Sequence, residues 1–398
     1  MKFKRVFIIA LIIRLLLAPL FYHPDIKSQN FHFQFLSQGQ FNIYQYIYDN
    51  KNHLPYRDTF NYLPLTYLTF GSLQTFQKII LPPDFTQWLN DWGGSQYSYA
   101  NLPYFLLILK IPYIFLDLLI GYLLYKISAS KKVLYFWLFN PFSFYLIYIV
   151  ENFDILPVFL TLLSYYLIKS KPSLSFLIFG FAIAFKFYPL IFLPFFLLYQ
   201  SKNLLKMIKY SIIATIPTIL SVIPYASSPA FWQSFFGSGL TQKIIELRFY
   251  QIPVFPVIYL IILFFCFLSK KIDLPFQIFL LFLLFISTVN FHPQWILWFL
   301  PFVFLLKNIF HPRFFFTLLL LTILILLYVF LINDNYLTWG HLIPIDPEFL
   351  LISSPYEVIK NHFGINPQLI QNYVKLSIAF VSFLSAIIYE KNSSRHLS

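Results

Sequence analysis

A chain of 398 residues, 59% hydrophobic and only 11% charged, has too little polar surface to cover a fold in water. This excludes a soluble globular enzyme and points to an integral membrane protein whose main partner is the lipid bilayer. The formal net charge of +13 would suit nucleic acid, but the basic residues are scattered through short loops without an aromatic-interleaved basic face, so no nucleic-acid partner is expected.

The first element is the apolar run "VFIIALIIRLLLAPLFY" after the basic opening "MKFKR". Arg14 interrupts the run and no small-x-small cleavage site follows, so a retained first helix is expected rather than a signal peptide. At 1.5 Å rise per residue, this run and later ones such as "FFFTLLLLTILILLYVFLI" and "VKLSIAFVSFLSAIIY" reach across a hydrocarbon core of roughly 30 Å. They lack the alternation of barrel strands, so the spans are helices. With the N-terminus in the cytoplasm, the basic loops "KISASKK", "KSKPS", "QSKNLLKMIK", "SKKID", "KNIFHPR" and the tail "EKNSSRHLS" all fall on the cytoplasmic side. Asp273 and Glu390 are the only acids among them, and the C-terminus is cytoplasmic too.

Two segments set the topology. Residues 23–101 must stay external, and "YLPLTYLTFGSLQTF" within them reads as a helix lying in the membrane interface. Residues 174–199 read as two short helices turning at Lys186 to Pro189, because a single helix would move most later basic residues outside. Each short helix reaches only ~20 Å, which sinks the "KFYP" turn some ~10 Å below the external surface. The expected architecture is an all-α polytopic membrane protein of about twelve transmembrane helices, broken or re-entrant pairs included. Its large first external loop bears interfacial helices. Further external features lie at 151–154, 227–252, 290–294 and 333–373, and no linker or repeat divides residues 1–398 into more than one domain. The single cysteine, Cys266, lies in an apolar run, so neither a disulfide framework nor a thiolate metal site can be built.

Charged residues inside such a chain need a reason. Arg14 and Asp117 stand at matching depths in the first and second helices. An unpaired charge at mid-membrane costs roughly 2.5 to 3.5 kcal/mol, so the two are expected to pair, with a proton or ion path as the alternative. A second group faces the external side: His23 and Asp25 in "FYHPDIKSQN", Glu151 and Asp154 in "ENFD", Lys186 and Tyr188 in "KFYP", and Asn290, His292 and Gln294 in "NFHPQW". "QKIIELRFYQ" adds Lys243, Glu246, Arg248 and Tyr250. Each has a plain alternative: Asp25 as an acid at the water boundary, Glu151 and Asp154 as solvated loop acids, Lys186 snorkelling beside a proline break, His292 and Gln294 as helix caps. Taken together, acids, a cation and amides converge at one depth on one side.

Such a group suits a transfer reaction. A carboxylate can remove a proton from an acceptor hydroxyl as it attacks an activated carbon, and a cation can hold the phosphate that leaves. A lipid-borne phosphate needs hydrocarbon for its tail and a cation near the interface, where Lys186 is placed.

The motifs that carry this chemistry are "HPD" after the first helix, "GQFNIYQYI", "FNYLPLTYL", "KIPYIFLDLLIGYLLYK", "FNPFSFYLIYIVENFDILPVFL", "GFAIAFKFYPLIFLPFFLL" and "VNFHPQWILWFLP". In this order the chain resembles the GT-C superfamily of multispanning glycosyltransferases that use polyprenyl-phosphate sugars. The likeness is strongest to bacterial and archaeal relatives of the GPI mannosyltransferases, and it runs over roughly residues 14–306. The resemblance implies a GT-C-like fold and inverting transfer of one hexose, mannose favoured, from a polyprenyl-phosphate sugar to an extracytoplasmic glycan or glycolipid in the plasma or inner membrane. It places Asp25 as the residue that activates the acceptor. Asp25 stands alone where many relatives have two acids, so Asp154 and Glu151 remain open as partners in catalysis. Lys186, with Tyr188 and Arg248, is implied in holding the donor phosphate, and His23, His292, Gln294 and Tyr62 in substrate contact. No cofactor beyond the lipid-linked sugar is implied, and no divalent-metal ligand set is recognised, although Asp25 with Glu151 or Asp154 could recruit one. The competing expectations are a lipid-linked-sugar transporter or flippase, which would use a midplane site, and a polysaccharide polymerase.

Overall fold

A computed structural model describes residues 3–150, 153–237 and 240–394; Glu151 lies outside the described residues. The protein is almost entirely helical. Among the described residues the one sheet is a two-stranded hairpin, in which Arg248–Phe249 pairs antiparallel with Ile252–Pro253.

Helix α1 (Phe3–Leu17) runs into a short 3-10 turn, Ala18–Leu20, and ends there because Pro19 cannot continue the backbone ladder. Helix α2 (Pro24–Phe33) departs at 87° to it, with His23 as its N-cap and Pro24 at its first position. The break frees backbone carbonyls. Lys110 Nζ collects those of Ala18 (2.8 Å) and Phe21 (2.6 Å), and also that of Tyr148 (3.1 Å).

Beyond α2 parts of the chain are packed into the interior. Lys27 is buried and donates to Gln96 Oε1 at 2.8 Å and to the Asp91 carbonyl, with the rings of Trp88 and Trp92 within 5.1 and 4.8 Å. Helix α3 (Pro64–Gln77), the piece read from sequence as an interfacial helix, is anchored by Gln74 Nε2 donating to the Asn30 carbonyl at 2.7 Å. It lies so close to the end of α2 that a Cβ at Gly71 would come within 2.8 Å of Leu36.

Helix α4 (Leu102–Ser128) is the longest uninterrupted apolar crossing candidate and carries Asp117 fully buried. Arg14 Nε donates to Asp117 Oδ2 at 2.6 Å, as does the Tyr148 hydroxyl at 2.8 Å, while Trp137 Nε1 donates to Oδ1 at 2.7 Å. Arg14 NH1 reaches the carbonyls of Ala10 and Leu138, both at 3.1 Å. Every group in this knot has a partner, which is the condition under which a buried ion pair is tolerated. Tyr148 reaches it from a π-helical turn, Tyr145–Ile149.

Helices α5 (Ile155–Leu167) and α6 (Pro172–Phe185) are followed by the expected break: Lys186 is extended, a 3-10 turn covers Tyr188–Ile191, and α7 (Leu193–Gln200) continues. The last carbonyl of α6, on Phe185, accepts from the Thr66 hydroxyl of α3 at 2.7 Å, so this helix end is satisfied inside the protein. Helix α8 (Leu204–Val222) crosses α6 at Gly180, where an added Cβ would collide with the Ala214 carbonyl. Such contact between small residues suits helices that cannot gain from the hydrophobic effect in lipid.

Helices α9 (Val254–Leu268), α10 (Leu274–Thr288), α11 (Pro312–Phe330) and α12 (Pro367–Ser394) complete the bundle. Among the described residues, four helices are long and apolar enough to cross a membrane, Leu102–Ser128, Leu204–Tyr225, Pro312–Phe330 and Pro367–Lys391, or five if the bent pair at α1 and α2 is one span. Four shorter apolar helices, α5, α6, α9 and α10, stand among them. The chain is an all-α membrane protein.

Candidate functional site

The polar residues gather at the end of the bundle where α1 gives way to α2. His23 opens the site because its capping role fixes the ring: Nδ1 accepts the Asp25 backbone N–H at 3.2 Å and lies 3.6 Å from Asp25 Oδ1. Asp25 itself sits in the first turn of α2 and stays one-third exposed (34%), which leaves the carboxylate reachable. From the opposite wall comes His292, in the turn after α10, with its ring 5.8 Å from that of His23 in edge-to-face contact. Asp334, four residues past the end of α11, completes a triangle: one ligand atom from each of His23, His292 and Asp334 lies within 4.8 Å of the others. Asp334 Oδ1 also accepts the Tyr336 N–H at 2.9 Å, and the Tyr336 ring packs 6.4 Å from His23 with its hydroxyl 2.5 Å from that of Tyr97.

Burial decides the state of these imidazoles. His23 is pushed down to about 4 by burial, against the pull of Asp334 and with help from Lys110. Burial also takes His292 down to about 4, opposed by Asp25 and reinforced by His23, Lys243 and Lys186. His341, whose ring packs 5.5 Å from Phe21, falls to about 4 through burial, with His23 and Lys110 adding to the effect. Near neutral pH these rings are therefore uncharged donors and acceptors, and His292 Nδ1 is buried without a hydrogen-bond partner.

The second half of the site is the break after α6. Lys186 Nζ meets Asp154 Oδ1 at 2.5 Å, and Trp298 Nε1 donates to Asp154 Oδ2 at 2.7 Å. Asp154 is fully buried and Lys186 is 13% exposed. The rings of Tyr62, Phe153 and Trp298 surround the ammonium at 5.5, 5.5 and 5.6 Å, and Trp298 stacks on Tyr188 at 4.1 Å. Asp154 thus serves as the counter-ion of Lys186, with both its oxygens engaged.

The residues singled out in the sequence fall in two groups, His23, Asp25 and His292 in one and Asp154 and Lys186 in the other, linked by the charge of Lys186 acting on His292; Tyr62 and Tyr188 wall the second group, and Gln294 is buried in the turn of His292. Arg248 does not join them. It is exposed on the hairpin and its Nε donates to the Ile245 carbonyl at 3.2 Å. The structure adds Asp334, Lys110, Tyr336, His341 and Trp298. Lys110 carries a visible signal, a lysine well inside an apolar helix, and Lys243 of "QKIIELRFYQ" acts on His292. Asp334 had none, since an acid in a loop far along the chain carries no spacing cue toward His23.

Beside this cluster lies a cavity of about 890 Å³ with an almost wholly apolar lining, including Leu17, Phe136, Phe144, Tyr145, Leu318 and Phe330. Its lining residues Phe139, Leu319 and Phe330 are exposed, so the cavity opens on the outside of the bundle. At the other end the lining residue Phe144 packs 6.0 Å from Phe21, and the Tyr145 hydroxyl donates to the Leu337 carbonyl at 3.2 Å, next to the polar cluster.

Comparison with protein-family models, with curated proteins and with solved structures finds no match to the chain.

Proposed function

We propose that the protein is a membrane glycosyltransferase that moves a single hexose, mannose favoured, from a polyprenyl-phosphate sugar to an extracytoplasmic glycan or glycolipid acceptor with inversion. The observation that carries this reading is an apolar cavity open on the side of the bundle that ends, through Phe144 and Tyr145, at Phe21 and Leu337, next in the chain to the polar group of His23, Asp334 and the accessible Asp25. A volume of about 890 Å³ lies within the roughly 300–1,000 Å³ of ligand pockets, and its lining suits a hydrocarbon tail.

In this scheme Asp25 removes the proton of the acceptor hydroxyl, whose oxygen forms a bond to the anomeric carbon from the face opposite the phosphate. The bond from that carbon to the phosphate oxygen breaks, and the electron pair leaves on the phosphate. Lys186 stabilises that charge, exchanging part of its interaction with Asp154 for the phosphate. Asp154 is then a positioning residue for Lys186, while Asp25 is the catalytic base. Tyr62 and Trp298, already beside the ammonium, present aromatic faces to the sugar. Arg248 has no part in this geometry.

The finer architecture belongs to the same reading: a GT-C-like bundle of about twelve crossings in the plasma or inner membrane, with cytoplasmic termini and the site extracytoplasmic. The break at Lys186 and the four short apolar helices support it, because short paired segments can account for the crossings that the long helices do not supply.

The deciding experiment is purified full-length protein in nanodiscs with a panel of polyprenyl-phosphate hexoses, measuring free polyprenyl phosphate. Sugar-dependent release that Asp25→Asn removes is expected. No release with any donor and acceptor would overturn the assignment.

A further inference from the structure

We propose that His23, His292 and Asp334 form a binding site for a divalent first-row cation of the zinc class. Three separate parts of the chain deliver them: the α1–α2 break, the turn after α10 and the loop after α11. Two imidazole nitrogens and one carboxylate are a donor set that first-row metals such as Zn²⁺, Co²⁺ and Mn²⁺ accept, whereas Ca²⁺ and Mg²⁺ prefer oxygen-only surroundings.

The geometry is near to what a metal requires. The three ligand atoms lie within 4.8 Å of one another, and two ligands about 2.1 Å from a tetrahedral zinc ion are about 3.4 Å apart. Small side-chain rotations would close that difference. Groups that orient the ligands are already in place. With Nδ1 of His23 accepting the Asp25 N–H, coordination through Nε2 requires the other tautomer, which gives up this cap and turns an Nδ1–H toward Asp25 Oδ1, 3.6 Å away. Asp334 is held by the Tyr336 N–H through one oxygen. The cations nearby do not occupy the site: Lys110 is engaged by three carbonyls and Lys186 by Asp154, while Lys243 lies over the Trp295 ring. This set differs from the acid pair that the sequence offered for a metal, since Asp154 is committed to Lys186.

A cation here would stand next to the carboxylate of Asp25 and could hold an anionic group of a bound molecule. The site does not depend on the glycosyl-transfer reading, and its test measures metal rather than turnover.

Tag-free full-length protein is stripped with a chelator and dialysed to equilibrium against Zn²⁺ or Co²⁺, with bound metal measured by elemental analysis and by the visible absorption of Co²⁺. One equivalent per chain is expected. Asp334→Asn and His292→Ala should each weaken binding by about tenfold or more, and Asp49→Asn, an exposed acid elsewhere, should leave it unchanged. Asp334→Asn keeps shape and an acceptor for Tyr336, so it decides the matter if His292→Ala does not fold. Absence of bound metal in the folded parent, or undiminished binding in the folded Asp334→Asn protein, would overturn the proposal.

Discussion

Lys186 Nζ stands 2.5 Å from Asp154 Oδ1, and each partner is closed in by aromatic rings rather than by water. The strength of the pair follows from burial: removing one partner strands the other in a low-dielectric site.

Breaking this pair from one side should therefore destabilise the protein by about 3–5 kcal/mol, whichever partner is lost. The double variant Asp154→Asn with Lys186→Met should recover much of that loss while remaining inactive in sugar transfer. Detergent-solution melting curves of both singles and the double, run as a mutant cycle, check the coupling. Additive effects would mean that the contact carries no energy.

Asp25 makes the opposite prediction. Its side chain is one-third exposed, so Asp25→Asn should leave the melting temperature near that of the parent. Turnover should fall by about 10²–10⁴-fold if the acid works as a general base. Release of free polyprenyl phosphate is the readout, and parental activity in the variant would remove Asp25 from the chemistry.

Arg14 and Asp117 are expected to matter for stability alone. Asp117→Asn leaves the Arg14 guanidinium without its counter-ion deep in the bundle and should cost about 3–5 kcal/mol. The folded fraction that survives should keep its specific transfer activity. A stable variant with abolished activity would instead favour an ion or proton path through this pair.

At the α6–α8 crossing, Gly180→Val places a side chain against the Ala214 backbone and should destabilise by about 1–3 kcal/mol through overpacking. Gly94→Ala is the control, since a Cβ there meets nothing within 4 Å. Comparison of folded yield and melting temperature tests the contact.

Filling the cavity tests the lipid-tail assignment. Leu318→Trp should raise the KM for a long-chain polyprenyl-phosphate sugar while sparing a short-chain analogue. Equal effects on both donors would place the tail elsewhere.

Much of this protein is legible in the order of its residues. Uniform apolar runs without alternation have only one way to satisfy their backbones in lipid, so the helical membrane class follows from composition and length. The pairing of Arg14 with Asp117 follows from depth alone, because two opposite charges at one level of a bilayer have nowhere else to go. The break at Lys186 follows from the charges of the later loops, most of whose basic residues a single helix over 174–199 would carry to the outside. Tertiary structure decided the rest. Whether Asp154 would meet water, substrate or Lys186 depended on the indole of Trp298 and on the end of α6 being held by Thr66. That Asp334 joins His23 and His292 depended on how three loops meet, and contacts between distant loops leave no periodicity in a sequence. Lys110 shows the division most clearly: its charge was visible in the apolar helix, but the carbonyls it satisfies exist as a cluster only once the chain has turned at Pro19 and packed against α4.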